Sequence, residues 1–161
     1  MKRLLSLVLA VGIIFGSFGL SANAAEMVSY PMGFHTYTST EDFASDEWRA
    51  AQRGTYLMSG TSSIARKDNT HISISGITTA TQTCDEVVLT LYVERSKSYD
   101  KGYTTYTSYD YEVNNAYQLI KEVASIKIER GYYYRVAAVH SVKEGSIRET
   151  TDSVTDPIDY R

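Results

Sequence analysis

A lone cysteine, Cys84, is all the thiol that 161 residues carry, so no disulfide can close within the chain. A domain of this size must be held by its apolar core instead of by covalent staples. An odd cysteine in an exported protein either links two chains or is a small buried side chain. Positive charge is also short, with 16 Lys+Arg against 19 Asp+Glu and a formal net charge of −3. That balance lacks the basic footprint of a nucleic-acid binder and of a protein held to an anionic membrane.

Compact catalytic signatures are missing as well. There is no Gly-x-Ser-x-Gly elbow, His-Glu-x-x-His pair, Gly-Lys-Ser/Thr phosphate loop or Cys-x-x-Cys. Cys84 adjoins Asp85 and Glu86, and adjacent negative charge raises a thiol pKa, which works against a reactive thiolate. His35, His71 and His140 lie on unrelated segments with no short spacing. The tail acids Asp152, Asp156 and Asp159 lack the glycine and the dense ligand alternation of a calcium loop. The chain therefore reads as non-enzymatic, with no cofactor and no metal site.

What is present starts with an address. Met1-Lys2-Arg3 is basic, Leu4 to Leu20 is apolar, and Ser21-Ala22-Asn23-Ala24 ends in an Ala-x-Ala exit. Those are the parts of a secretory signal peptide cut between Ala24 and Ala25. The competing reading is a membrane anchor, because the run approaches the length of a spanning helix. The small-residue exit, with no basic flank after it, favours cleavage. No later run is long enough to span, so the expected product is secreted, at or near the cell wall, without stable membrane insertion. Removing residues 1–24 leaves 137 for a single domain. Lys2 and Arg3 leave too, so Lys+Arg falls from 16 to 14 against 19 acids, a net charge of −5.

Two textures follow. Residues 25–53 read as an N-terminal arm, extended through Ala25–Ser39 around Pro31 and Gly33, then a short helix over Ser45–Gly54. Ser45 would cap that helix, Asp46 and Glu47 would favour its positive end, and Gly54 would stop it. The single tryptophan, Trp48, would pack from it onto the domain. From residue 54 to 161 the period is two. Strands are expected over residues 55–58, 71–76, 86–94, 103–113, 123–129, 132–142 and 147–151. Val87, Leu89, Leu91 and Val93 share one face of their strand, the mark of half burial. About seven short strands divided by glycine, Asn-Asn and serine breaks argue an all-β, antiparallel sandwich of immunoglobulin or fibronectin III type.

Two resemblances sharpen this. Gly131-Tyr132-Tyr133-Tyr134-Arg135-Val136 through His140 resembles the sixth strand of fibronectin type III-like domains, which implies that Tyr132 is a corner tyrosine whose hydroxyl bonds nearby backbone. The tryptophan usual in such cores is missing from the sandwich. More broadly, the leader, Ile74-Ser75-Gly76-x-Thr78-x-Ala80, residues 85–92 and the Gly131–Val136 run resemble a family of small exported proteins of Gram-positive bacteria. That resemblance implies export and bacterial origin and transfers no activity.

Tyrosine is the compositional oddity, with 14 in the chain and five between Tyr99 and Tyr111. Alternation puts Tyr103, Tyr109, Tyr111 and Val113 on a core face and Tyr106 opposite. If Tyr132, Tyr134, Val136 and Ala138 point inward, Tyr133 and Arg135 point outward, and Tyr92 does so on its own strand. Tyr92, Tyr106, Tyr133 and Arg135 would then share one outer sheet face, with Val88 and Val139 beside them. Such a face suits a protein or glycan partner at the cell surface. Alternatively, the Trp48 helix or the 25–44 arm folds across it and covers it. The competing class is a small secreted hydrolase or toxin.

Overall fold

A computed structural model describes residues 26–51 and 56–161. The leader, its cut between Ala24 and Ala25, and the helix stop assigned to Gly54 lie outside the described residues. Every regular element described is a strand: β1 (Met27–Ser29), β2 (Gly33–Ser39), β3 (Phe43–Ala50), β4 (Leu57–Arg66), β5 (His71–Ser96), β6 (Thr104–Lys127), β7 (Tyr133–Glu144), β8 (Ile147–Val154) and β9 (Ile158–Asp159). They form one mixed sheet in the order β1-β8-β7-β5-β4-β3-β2, with β6 added to β5 and β9 to β7. The β1–β8 pair is parallel and all the others are antiparallel.

β5 organises the molecule. Its first half pairs with β4, its second half pairs with β7, and β6 runs along its opposite side through both. Between the halves the β5–β6 register slips from Thr79 to Cys84, and residues 81–83 are exposed. Opposite this break Asn115 takes a left-handed φ of 52°, a conformation asparagine accepts more readily than most residues. The sheet curls there, and its two halves fold face to face, with β4 against β7 and β8 and β3 against β8.

The enclosed face carries the core. Ile72 and Ile74 from the first half of β5 meet Val87, Leu89, Leu91 and Val93 from the second, all essentially buried. The period-two reading of that strand holds. Truncating one such leucine to alanine costs about 2–5 kcal/mol. Close approach of the layers depends on Gly60 of β4, where an added Cβ would lie 2.3 Å from His140 Cδ2. His140 crosses this gap, 3.0 Å from Thr78 Oγ1 through Nδ1 and 2.9 Å from Ser153 Oγ through Nε2. Ser153 bonds Ser62 in turn at 2.8 Å, so a polar string crosses the apolar core fully bonded.

Two expectations are corrected. The helix over Ser45–Gly54 does not form in its described part, which is β3. Ala44, Asp46 and Trp48 alternate inward with Ser45 and Glu47 between them. The acids taken for a first helical turn belong to a strand, and Asp46 points into the protein. Its carboxylate bonds His35 Nδ1 at 2.9 Å and accepts the Val154 N–H at 2.8 Å. Glu149 likewise accepts the Leu57 N–H at 2.7 Å. These two buried acids close the seam where the curled edges meet. The second correction concerns strand number. The segments expected at 71–76 and 86–94 are one strand, β5, and those at 103–113 and 123–129 are one strand, β6.

Candidate functional site

At the end of the second half-sheet farthest from the bend, tyrosine rings and cationic side chains interleave. β5 and β7 set the outer face through the pairs Tyr92↔Ala137, Glu94↔Arg135 and Ser96↔Tyr133. Tyr92, Arg135 and Tyr133 therefore share that face, as the alternation of both strands requires, and Val88 and Val139 lie farther along it. Arg135 Nε donates to Glu94 Oε2 at 2.7 Å, and its guanidinium sits 4.0 Å over the Tyr103 ring. Tyr103 donates its hydroxyl to the Tyr99 carbonyl at 2.8 Å, and burial pushes its phenol up to about 12. Tyr99 meets Tyr133 edge-on at 5.5 Å, and Arg161 lies 4.3 Å over the other ring of that pair, Tyr133.

Tyr106 is not part of this face. The β5–β6 register slips between Val93 and Glu94, pairing Thr107 with the former and Thr105 with the latter. Tyr106 is the extra residue of that bulge and turns to the core side, as the added residue of a bulge can. It stacks edge-on with Tyr134 at 5.8 Å and donates to the Lys127 carbonyl at 3.1 Å. Tyr109, Tyr111 and Val113 pack on the core as their parity requires.

The corner role expected of Tyr132 falls to Tyr134. That fully buried side chain donates to the Glu129 carbonyl at 2.9 Å and accepts the Glu129 N–H at 3.0 Å. Tyr132 is half-buried under Arg95 and Lys97, whose cationic groups lie 4.6 and 5.8 Å from its ring. Trp48 is buried in the core, packed from a strand and not from a helix.

Neither proposed cover crosses the outer face. β2 and β3 belong to the other half of the sheet, and β1 lies on β8. What borders the face is the segment from Lys97 to Tyr103 and the terminal Arg161. Tyr103, expected on the core face with Tyr109, Tyr111 and Val113, lies instead on the outer face under Arg135, because it precedes β6 and the register slip at Tyr106 breaks the phase that parity assumed. Sequence reasoning missed Tyr99 and Arg161, because parity locates residues within strands and says nothing of those that reach over from loops and ends. The two arginines of this face each have a carboxylate partner, Arg135 with Glu94 and Arg161 with Asp159 at 2.8 Å. Tyr133, expected to point outward into solvent, is buried at 9% exposure between Tyr99 and Arg161, so the ring surface open to a partner is chiefly that of Tyr99, with Tyr92 half-buried on the same face.

The histidines and the cysteine are committed to structure. His140 is buried and held down at about 3 by desolvation, His35 is bonded to Asp46, and His71 bonds Asp68 at 3.1 Å. Cys84 is buried, and desolvation, then Glu144 and Asp85, push its thiol up. Among the described residues no three potential ligands gather as a metal site. Residues 22–157 match the model of one protein family, and no curated protein matches the chain.

Proposed function

The chain belongs to DUF6147, a family of unknown function, and on that premise we propose that it is an exported, non-enzymatic binding protein acting at or near the bacterial cell surface. Its folded sheet serves as a β-sandwich scaffold, and the outer face of β5 and β7 is the contact. The observation that carries the reading is the interleaving of Tyr99, Tyr133 and Arg161, and of Tyr103 and Arg135, on a face that no other described strand crosses. Tyr99 is 55% exposed beside this stack. Aromatic rings fixed by neighbours lose little freedom on binding, which is why tyrosine and arginine recur at interface hot spots. The ligand is a surface glycan, whose sugar rings stack on tyrosine, or a protein. Against a hydrolase stands the state of His140, a neutral base sealed in the core where no substrate reaches it.

Sedimentation of the exported protein with isolated bacterial cell walls tests this. Because Arg135 and Arg161 are already paired with carboxylates within the chain, retention should survive moderate salt. Tyr92→Ala combined with Tyr99→Ala should weaken retention about tenfold or more with the fold intact. Protein left wholly in the supernatant, or retention indifferent to both substitutions, would sink the proposal. Walls stripped with protease separate a glycan ligand, which survives the treatment, from a protein one.

A further inference from the structure

The strand that ends the sheet at β2 is paired on one side only. β2 pairs with β3, and no other described strand meets its second edge. All seven of its residues are exposed. The phase of its free backbone groups follows from two flanking bonds, in which Ala51 N–H donates to the Met32 carbonyl at 2.8 Å and Thr40 N–H to the Phe43 carbonyl at 2.7 Å. Pairs that exchange hydrogen bonds alternate along an antiparallel ladder. Phe34, Thr36 and Thr38 therefore aim their main-chain groups at β3, while Gly33, His35, Tyr37 and Ser39 aim theirs away from the sheet.

Free edges attract other strands, and proteins blunt them with charge, shortness, irregularity or cover. The other edges here are treated that way. β6 carries Asp110, Glu112, Lys121, Glu122 and Lys127 and is broken at Asn115. β1 is three residues long, and Glu26 just before it is tied to Lys143 and Arg148. The remaining edge of β8 is capped at Val154 by Asp46. β2, Gly33-Phe34-His35-Thr36-Tyr37-Thr38-Ser39, has no Asp, Glu, Lys or Arg. Exposed apolar side chains also concentrate around it: among the described residues, Tyr30, Met32, Phe34, Tyr37 and Phe43 are five of the eleven large ones exposed.

We propose that β2 is a self-association edge, through which two copies of this chain join antiparallel about a two-fold axis at Thr36. The register is set by the free groups. Only pairing about Thr36 brings Gly33 opposite Ser39 and His35 opposite Tyr37, so that every outward N–H and C=O meets a partner, about eight hydrogen bonds in all. Thr36 then faces Thr36 of the other copy in a close, non-hydrogen-bonded pair on the outer side, a favourable cross-strand match. No like charges meet. Because each copy has this one unguarded edge among its described strands, the contact is isologous and stops at a dimer.

Sedimentation velocity of the full chain over a range of concentrations tests the proposal. A dimer in reversible exchange with monomer is expected. Thr36→Lys puts two ammonium groups face to face at the axis, and should raise the dimer dissociation constant at least about tenfold. Ser108→Lys, an equally exposed change on β6, should leave it unchanged. Amide exchange gives a second readout, since the His35 and Tyr37 amides should slow as the dimer forms while the Thr107 amide does not. A monomer at every concentration, a dimer indifferent to Thr36→Lys, growth beyond two copies, or a dimer lost on Ser108→Lys instead would each overturn it.

Discussion

His140 contacts no ordered charge in the core, and desolvation alone moves its pKa from the ordinary 6.5 to about 3. The folded protein thus keeps the imidazole neutral in a range where the unfolded chain protonates it. Stability from this residue is complete above the unfolded value and is lost as pH falls from about 6.5 toward 3, by about 1.4 kcal/mol per unit. Urea unfolding between about pH 6.5 and 4.5 should show that slope. His140→Asn should be less stable throughout, because Thr78 and Ser153 lose their partner, yet flatter over this window. An equal slope in both proteins would refute the assignment. The carboxylates held low by bonding, Asp68 foremost at about 2 through the Thr70 amide and hydroxyl, work in a separate and more acid window. Their contribution is present above the ordinary carboxylate value and lost as pH falls through the lowered one.

β3 and β6 show what a strand's sequence discloses and what it hides. Parity on β5 and β7 was legible because Val87, Leu89, Leu91 and Val93, like Val136 and Ala138, put apolar side chains on one face without interruption. On β3 the inward positions are Ala44, Asp46 and Trp48, and a carboxylate among them disguises the period as a capped helical turn. Nothing local marks Asp46 as buried, since its partners His35 and Val154 lie 11 and 108 residues away. On β6 the bulge at Tyr106 flips the phase, and the partner strand that sets the bulge cannot be read from β6 itself. Hence three of the four proposed contact residues fell on one face and the fourth turned inward. Asp46→Ala should leave the part-buried Val154 N–H and His35 without their acceptor and lower unfolding stability by about 1–3 kcal/mol. Asp46→Asn, keeping an acceptor of the same shape, should cost less. A change under about 0.5 kcal/mol in the alanine variant would mean that the seam does not depend on this carboxylate.

At the scale of the whole molecule, the proposed ligand contact and the proposed self-association are separable. Wall retention reads the tyrosine face of β5 and β7, whereas sedimentation velocity reads the β2 edge in the opposite half of the sheet. A variant that loses one property and keeps the other shows that each assignment stands on its own residues. The β character was legible from alternation beyond residue 54, while the strand at Phe43–Ala50 was not. That both layers share β5 and β6 was not, because a bend inside a strand and a turn between strands carry the same polar residues, here Thr81-Gln82-Thr83 and Asn114-Asn115.

The curl of β5 has a consequence for how the chain acquires its structure. Since the same 26 residues supply the middle of both layers, neither layer is a unit that can be completed first and kept in reserve. β4 must find the front of β5, β7 must find its rear, and most of the pairings span long stretches of chain. Such a topology folds slowly, on the order of milliseconds to seconds, and all at once. Fluorescence of Trp48, in the first layer, and exchange at Leu89 and Val136, in the second, should report one coincident unfolding transition. A single proteolytic nick at the exposed 81–83 bend would then disable both layers together, so a cell that needed to retire this protein would have to cut it only once.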